Sequence, residues 1–177
     1  MIYGGRIRLR ADERSDLPQF VVWLNDPEVI AGLSAVFPLS QVEEEQWYEN
    51  MLKTPREEHP MAIDIRTEDG GWKLIGNCGL FGFNWRSHSA EVGIFIGDKS
   101  CWNQGFGTEA MGLILKHGFN NMNLNRIYLR VLATNPRAIR CYEKVGFISE
   151  GRLRQAEFRN GQYVDFLVMS VLRSEFN

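Results

Sequence analysis

The stretch RIYLRVLATNPRAIRCYEKVGF, residues 126–147, predicts a strand followed by a helix with well-marked ends. Residues 126–132 have the composition of a strand, rich in apolar and β-branched side chains. Asn135 is a preferred N-cap residue, Pro136 suits the first helical position, and Gly146 suits the residue just past the last turn. The pattern therefore predicts a strand–helix unit whose helix begins at Pro136 and ends shortly before Gly146.

A second segment, CWNQGFGTEAMGLILKHGF at residues 101–119, predicts a glycine-containing turn followed by another helix. Gly105 and Gly107 carry no Cβ, so the backbone of the turn can approach a ligand closely. The helix would direct its free first-turn N–H groups at that ligand, and such a site favours an anion such as phosphate. A glycine-containing connection without any ligand would explain this single motif equally well.

The remaining patterns predict strands and helices that alternate along the chain. Alternating or apolar runs and turn signals predict strands at residues 6–11, 61–67, 72–84 and 88–97, and on both sides of Asn160–Gly161. Helices are predicted from Ser15, Glu28 and Ser40, the last with an S-x-x-E capping box. Because no repeat or linker interrupts these elements, residues 1–177 are expected to form one domain of the α+β (mixed α/β) class, with a mostly antiparallel sheet flanked by helices.

Composition limits the kinds of partner. Hydrophobic residues make up 44% of the chain and charged residues 24%, which is typical of a globular domain. The net charge of −2 provides no positive field for nucleic acid, and no apolar run approaches the roughly 20 residues of a membrane span. Three cysteines form no CxxC pair and three histidines lie far apart in sequence, so no metal site is predicted. The first residues carry charges where a signal peptide would have its apolar stretch, so a soluble, cytoplasmic protein is expected.

A dinucleotide is the first candidate ligand for the glycine turn. Residues 105–110 satisfy the pattern G-x-G-x-x-G/A of the dinucleotide-binding Rossmann domains. Such a domain also needs an acidic residue at the end of the next strand to hold the ribose, and residues 126–135 contain neither Asp nor Glu. A P-loop would need Lys-Ser/Thr after the second glycine, and that pair is missing from the sequence. A Rossmann domain and a P-loop are therefore both minor alternatives.

The strand–helix unit carries a motif with fixed spacing, N-x-x-A-x-x-x-Y-x-K-x-G-F, formed by Asn135, Ala138, Tyr142, Lys144, Gly146 and Phe147. With residues 23–29 (WLNDPEV), 90–98 (AEVGIFIGD) and 106–110 (FGTEA), the similarity covers nearly the whole chain. On these residues the chain resembles the GCN5-related N-acetyltransferases, in particular the branch with the ribosomal-protein N-terminal and spermidine acetyltransferases. The chain departs from the family pattern at one position. The pyrophosphate loop of the family is usually Q/R-x-x-G-x-G/A, and Trp102 occupies the position of its Gln or Arg.

The resemblance implies the acyl-CoA N-acyltransferase fold, with a twisted central sheet, and acetyl-CoA as the co-substrate. It implies that backbone amides of the turn cradle the pyrophosphate, along Asn103, Gln104, Gly105, Phe106, Gly107 and Thr108. It also implies that one strand separates from its neighbour and binds the pantetheine arm through the backbones of Ile94, Phe95 and Ile96, helped by the side chain of Asn135. An ordinary buried strand and a helix cap would also explain these four residues.

Acetyl transfer to an amine needs a neutral nucleophile, donors for the oxyanion and a proton for the departing thiolate. Neither a Ser-His-Asp nor a Cys-His arrangement is needed if the amine attacks the bound thioester directly. The resemblance implies that Tyr142 is the proton donor, and a tyrosine that only fills the core is the alternative. Glu91 lies in an otherwise apolar strand, which the resemblance implies runs beside the acetyl group. It is predicted to be the general base, because partial burial raises the pKa of a carboxyl group. A water chain or ionisation of the substrate would serve equally well.

The sequence does not determine the acceptor. By resemblance, residues 28–40 and the hairpin at Asn160–Gly161 border the acceptor side, where peptide N-termini, polyamines, amino sugars and small antibiotics are all candidates. The predicted function is N-acetyl transfer to a primary amine, and a non-catalytic acyl-CoA-binding sensor of the same fold is the alternative. The long apolar strand at residues 163–172 predicts a homodimer, because an uncovered strand of this kind promotes aggregation.

Overall fold

The computed structural model describes residues 1–34 and 36–176, so Ala35, in the predicted acceptor-side segment, and Asn177, the end of the predicted domain, lie outside the described residues. Eight strands form one sheet in the order β1-β2-β3-β4-β5-β6-β8-β7. The strands are β1 (Ile2–Tyr3), β2 (Ile7–Ala11), β3 (Met61–Arg66), β4 (Trp72–Asn84), β5 (Ser89–Ile96), β6 (Arg126–Leu132), β7 (Ile148–Arg159) and β8 (Gln162–Leu172). The helices are α1 (Leu17–Leu24), α2 (Pro27–Ile30), α3 (Gln41–Met51), α4 (Phe106–Asn120) and α5 (Pro136–Lys144).

Neighbouring strands are antiparallel throughout the sheet except for the pair β5 and β6. This arrangement confirms the predicted mixed class with a mostly antiparallel sheet, and it contradicts the Rossmann alternative, whose sheet is mostly parallel. The parallel pairing ends where Glu91 lies opposite Tyr128, although β5 continues to Ile96 and β6 to Leu132. Beyond Glu91 the two strands therefore separate and leave an opening in the middle of the sheet.

Helix α4 packs on the sheet through the apolar face that its sequence predicts. Met111, Ile114 and Leu115 are completely buried on that face. Gly118 approaches the sheet so closely that a Cβ at this position would lie 2.8 Å from Cδ1 of Ile127 in β6. This packing holds the first turn of α4 at the opening between β5 and β6.

A second group of core side chains supports β5 from the side of α1. The rings of Phe20 and Trp23 pack edge-on against Phe95, with centroid distances of 5.9 and 6.4 Å. Phe95, which is partly buried, thereby packs against this second core cluster, and the end of β5 is held in place beside α1.

The predicted helix starts are partly confirmed. The capping box at the start of α3 is present, because Ser40 and Glu43 exchange hydrogen bonds between side chain and backbone. The prediction that a helix begins at Ser15 is wrong, since residues 14–16 form a 3₁₀ turn and α1 follows it. The carboxylate of Asp16 accepts hydrogen bonds from the Glu13 amide and from Arg10, and these bonds stabilise the tighter turn.

Asp12 follows β2 directly and lies away from the opening in the sheet. The residue is buried, with only 5% of its surface exposed. Nδ2 of Asn77 donates a hydrogen bond to Oδ2 of Asp12 at 3.3 Å, whereas Oδ1 has no partner among the described residues. Burial is the main cause that raises the pKa of the Asp12 carboxyl to about 7, and the charges of Asp16 and Glu44 act in the same direction.

Because the pKa of Asp12 is raised, we expect the free energy of unfolding to depend on pH. This pKa in the folded chain exceeds its ordinary value of 3.8, so protonated Asp12 stabilises the fold below about pH 4, and that contribution is lost as the pH rises through about 7. Asp12→Asn should remove up to about 4 kcal/mol of this pH dependence, measured as the free energy of unfolding in urea. Glu68→Gln, in the exposed β3–β4 turn, is the matched control. Equal pH dependence in Asp12→Asn and the wild type would contradict this prediction.

Candidate active site

A cavity of about 780 Å³ lies at the opening between β5 and β6. Its walls come from these two strands, the first turn of α4, the cavity-facing side of α5, the segment after α2 and part of β7. This volume lies within the range of pockets that hold cofactors and similar small ligands. The cavity is therefore large enough for a ligand the size of a cofactor.

The structure brings the predicted site residues together, with one exception. Those that line the cavity are Glu91, Ile94, Phe95, Ile96, Asn103, Gly105, Phe106, Gly107, Thr108, Asn135 and Tyr142. Gln104 is absent from the wall: its side chain donates a hydrogen bond to the Ser100 carbonyl, and its own carbonyl accepts one from Arg6 at 3.0 Å. The side chain of Gln104 thus holds the turn in shape and does not face the cavity.

The first turn of α4 directs unpaired backbone donors at the cavity. The turn reaches α4 through Asn103 and Gly105, which adopt φ values of 60° and 85°, in the left-handed region. The first hydrogen bond within the helix joins the Glu109 amide to the Gly105 carbonyl at 3.0 Å, so the amides of residues 106–108 precede the helical ladder. Such amides at a helix N-terminus form a neutral site that favours an anion.

Glu109 does more than complement the dipole of α4. Its carboxylate accepts hydrogen bonds from the backbone N–H and from Nε of Arg6, at 2.8 and 3.0 Å. The guanidinium of Arg6 also lies 4.6 Å from the ring centroid of Phe106. Together with the bond from Arg6 to the turn, these contacts tie the start of β2 to the start of α4 and stabilise the shape of the turn.

Trp102 links the turn to the end of β5. Its indole Nε1 donates a hydrogen bond to the carbonyl of Ile96 at 2.8 Å. The carbonyl of Phe95, by contrast, lies against Gly76 of β4, where a Cβ would come within 2.0 Å of it. Because alternate residues of an antiparallel strand direct their N–H and C=O groups to the same side, this pattern indicates that Ile94 and Ile96, and not Phe95, face the gap with their backbones.

Tyr142 lies in the second half of α5 with its side chain in the cavity wall. Its ring packs against Phe147 at a centroid distance of 5.8 Å. Burial raises the pKa of the Tyr142 phenol well above its ordinary value of 10, and the neighbouring Cys141 adds to the effect. The phenol therefore carries its proton at neutral pH, as a proton donor must.

Asn135 serves as the N-cap of α5, as its position in the sequence predicts. Its Oδ1 accepts a hydrogen bond from the Ala138 amide at 3.1 Å. Its Nδ2 faces the segment after α2, where a Cβ on Gly32 would lie only 2.6 Å away. Asn135 therefore also brings the start of α5 close to the opposite wall of the cavity.

Glu91 occupies the point where β5 and β6 begin to separate. Its side chain is 14% exposed, in agreement with the predicted partial burial, but it has a charged partner that the sequence analysis missed. Nε of Arg130, on β6, donates a hydrogen bond to Oε1 of Glu91 at 3.0 Å. The ion pair joins the two strands across the gap, and the apolar composition of β5 gave no sign of this partner.

Sequence reasoning also missed other residues of the wall. Sγ of Cys141 and Oγ1 of Thr108 lie 3.4 Å apart and connect α5 with the first turn of α4. Arg137, from the first turn of α5, and Glu157, from β7, face the same cavity. The only signal for Arg137 was its place inside the N-x-x-A motif, and the only signal for Glu157 was its place in the hairpin around Asn160–Gly161.

Neither a group of metal-ligand side chains nor a membrane-spanning helix is found among the described residues. Within residues 1–34 and 36–176, no three His, Cys, Asp or Glu side chains are grouped so that they could hold a metal ion. None of the helices in this part of the chain combines the length and the apolar character needed to cross a membrane.

Comparison with known proteins finds acetyltransferases both among family models and among individual relatives. The acetyltransferase (GNAT) domain family matches residues 6–148. A spermidine N(1)-acetyltransferase from Vibrio cholerae is 33% identical over 174 residues, which cover 98% of this chain and 96% of the relative. An uncharacterized N-acetyltransferase, p20, from Bacillus licheniformis is 28% identical over 99% of this chain and 97% of its own length.

Solved structures of a similar protein agree in fold along nearly the whole chain. The crystal structure of spermidine N-acetyltransferase from Vibrio cholerae in complex with CoA and spermine superposes with a TM-score of 0.87. Its sequence is 30% identical to this chain, and the match covers 97% of this chain and 98% of that one.

Proposed function

This chain belongs to the acetyltransferase (GNAT) family and is an acetyl-CoA-dependent N-acetyltransferase of a small amine, and we propose that its acceptor is a polyamine. The observation that carries the proposal is the cavity between β5 and β6, because it joins an anion-binding helix terminus, a protonated phenol and two carboxylates. The two carboxylates are those of Glu91 and Glu157.

We propose that acetyl-CoA enters the cavity with its pyrophosphate at the amides of residues 106–108 and its pantetheine arm along the free edge of β5. The N–H and C=O groups of Ile94 and the N–H group of Ile96 supply its hydrogen bonds, as in strand addition, while the Ile96 carbonyl keeps its bond to Trp102. Asn135, which already caps α5, bonds to the pantetheine arm with its Nδ2 group. Both substrates are then held in one cavity, which supports direct transfer.

The reaction follows from that arrangement. The neutral amine nitrogen attacks the thioester carbonyl carbon, the C–N bond forms, and the C–S bond breaks. The sulfur leaves as a thiolate and takes the phenolic proton of Tyr142, which returns from solvent afterwards. Glu91 receives, through water, the proton that the attacking amine loses. The products are an N-acetylated amine and CoA with a free thiol.

The acceptor end of the cavity suits a long cation. Glu157 reaches the wall from β7, and Nε of Arg159 lies 3.6 Å from Oε1 of Glu157. Leu33, Phe81 and Leu153 provide apolar surface nearby, against which a methylene chain can lie. A carboxylate beside apolar surface is the chemistry that recognises an ammonium group on an aliphatic chain.

The test is the release of free CoA from acetyl-CoA in the presence of a panel of amines. Spermine and spermidine should release CoA faster than amino sugars or peptides. Glu157→Gln should raise the KM for spermine roughly 5-fold, which corresponds to about 1 kcal/mol for one ion pair. Glu150→Gln, an exposed change on the same strand, is the matched control. If acetyl-CoA binds but no amine releases CoA, the sensor alternative is correct.

We further propose that residues 1–177 form one domain and that the chain is a homodimer. One continuous sheet from β1 to β7 supports the single domain. The apolar strand at residues 163–172, from which the dimer was predicted, is not uncovered, because β8 lies between β6 and β7. The dimer is supported instead by β7, an edge strand that leaves Ile148, Leu153 and Phe158 exposed. A single cooperative unfolding transition and a mass above that of the 20.4 kDa monomer in light scattering are expected, and two transitions or a monomer would contradict them.

A further inference from the structure

One wall of the cavity is formed by the very short helix α2 and the segment that follows it. This helix has only four residues, and Val29, Gly32, Leu33 and Ser34 line the cavity. A single turn of helix is unstable by itself, because the cost of helix nucleation exceeds the gain from so few hydrogen bonds. The shape of this wall therefore depends on contacts from other parts of the chain.

Two cations contact α2, one at each end. Nζ of Lys99 lies 2.7 Å from Oδ2 of Asp26, the N-cap residue. At the other end, Nη1 of Arg159 donates hydrogen bonds to the carbonyls of Ile30 and Ala31, at 3.2 and 2.7 Å. A cation is favourable at this second position, because the last carbonyls of a helix carry partial negative charge. Arg159 thus stabilises the end of α2 from which the wall segment continues.

Arg159 also contacts a carboxylate of the cavity wall. It lies two residues after Glu157 in β7, and residues with this spacing face the same side of a strand. Nε of Arg159 is 3.6 Å from Oε1 of Glu157, and the two side chains are only 13% and 20% exposed. One planar guanidinium therefore joins Glu157 to the end of α2.

A bulge in β7 presents Glu157 to the cavity. The pairing of β7 with β8 shifts between Leu153 and Glu157, so that β7 contains extra residues in this stretch. Oδ1 of Asp165 accepts a hydrogen bond from the Gln155 amide at 2.8 Å and stabilises the bulge. Bulges of this kind redirect side chains, and both Leu153 and Glu157 line the cavity.

We propose that Arg159 is a positioning residue for the acceptor amine. It acts through the groups that it holds, namely the Glu157 carboxylate on one side of the cavity and the wall segment after α2 on the other. The proposal rests on the proposed function, in which Glu157 binds an ammonium group of the acceptor. A lysine could not replace Arg159, because its ammonium is a single point charge, whereas a guanidinium presents its donors in a fixed plane.

Arg159→Lys tests this role, because it keeps the positive charge beside Glu157 and removes the planar arrangement of donors. The KM for spermine should rise roughly 10-fold, the low end of the range for a hydrogen bond to a charged group. The kcat should stay near the wild-type value, because the change leaves Tyr142 and Glu91 in place. Arg154→Lys, an exposed change on the same strand, is the matched control and should leave the KM unchanged.

Hydrogen exchange provides a second measurement that needs neither acetyl-CoA nor an amine. The amides of Ala31 and Leu33 donate hydrogen bonds to the carbonyls of Pro27 and Ile30, at 3.1 and 2.9 Å. Both amides should exchange with deuterium faster in Arg159→Lys than in the wild type or in Arg154→Lys, because local opening of the wall segment becomes easier.

The two measurements together decide the inference. Unchanged exchange of both amides in Arg159→Lys would overturn it, and so would faster exchange with a wild-type KM for spermine. A wild type that releases no CoA with any amine would instead refute the proposed function, and exchange would still decide whether Arg159 holds this wall.

Discussion

Tyr142→Phe is expected to lower kcat roughly 100-fold while the affinity for CoA changes little. The substitution removes one hydroxyl group and keeps the ring, so the packing against Phe147 is preserved. Burial keeps the phenol protonated, and a positioned proton donor contributes about 10²- to 10⁴-fold to a rate. Because the proton is needed only when the thiolate leaves, kcat and kcat/KM should fall together, as measured by CoA release at varied amine concentration.

The controls for Tyr142→Phe separate chemistry from folding and from product release. The melting temperature and the Kd for CoA should match the wild type within the error of the measurement. If product release limits the wild-type enzyme, steady-state rates understate the loss, so a single turnover is the fair comparison. A wild-type single-turnover rate in the variant would mean that Tyr142 is a packing residue and that water or the substrate supplies the proton.

Gly107→Val is expected to weaken CoA binding roughly 10- to 100-fold in a chain that still folds. A Cβ at Gly107 would lie 3.8 Å from Sγ of Cys141 and from Cγ1 of Ile96, which is ordinary contact, so the fold can accommodate a side chain. A helical glycine also carries an entropic cost that the substitution removes. The methyl groups of valine would instead obstruct the approach of phosphate to the amides of α4, as measured by calorimetry with CoA.

Gly112 offers a matched control for this prediction. It lies in the same helix, and a Cβ there would meet no other atom within 4 Å. Gly112→Val should therefore reproduce the effect of valine on α4 without touching the cavity. Equal CoA affinity in Gly107→Val, Gly112→Val and the wild type would mean that the turn does not cradle phosphate.

Local sequence signals predicted the elements of the fold well. Asn135 and Gly146 mark the ends of α5, and the structure confirms both, since the Asn135 side chain caps the helix and Gly146 adopts a φ of 98°. Asn160 and Gly161 likewise have positive φ values, as a two-residue hairpin turn requires. These features depend on neighbouring residues, which is why the sequence alone suffices for them.

Features that depend on distant parts of the chain were not predictable in this way. The ion pair of Glu91 with Arg130 requires that β5 and β6 pair in one register and then separate. The sequence of a strand does not indicate which other strand pairs with it. The stacking of Arg137 on Trp102 depends in the same way on two segments that meet only at the cavity. The family motif led to residues that line the cavity, whereas the charges within the cavity required the three-dimensional structure.

Direct passage of acetyl from CoA to the amine within one cavity is tested by a single turnover with the protein in excess over labelled acetyl-CoA. Before an amine is added, acetyl-CoA should stay intact and the mass of the protein should be unchanged. After spermine is added, one equivalent of CoA should appear, with the acetyl group on spermine. Release of CoA before the amine, together with an acetyl group on the protein, for example on the cavity-lining Cys141, would contradict direct transfer.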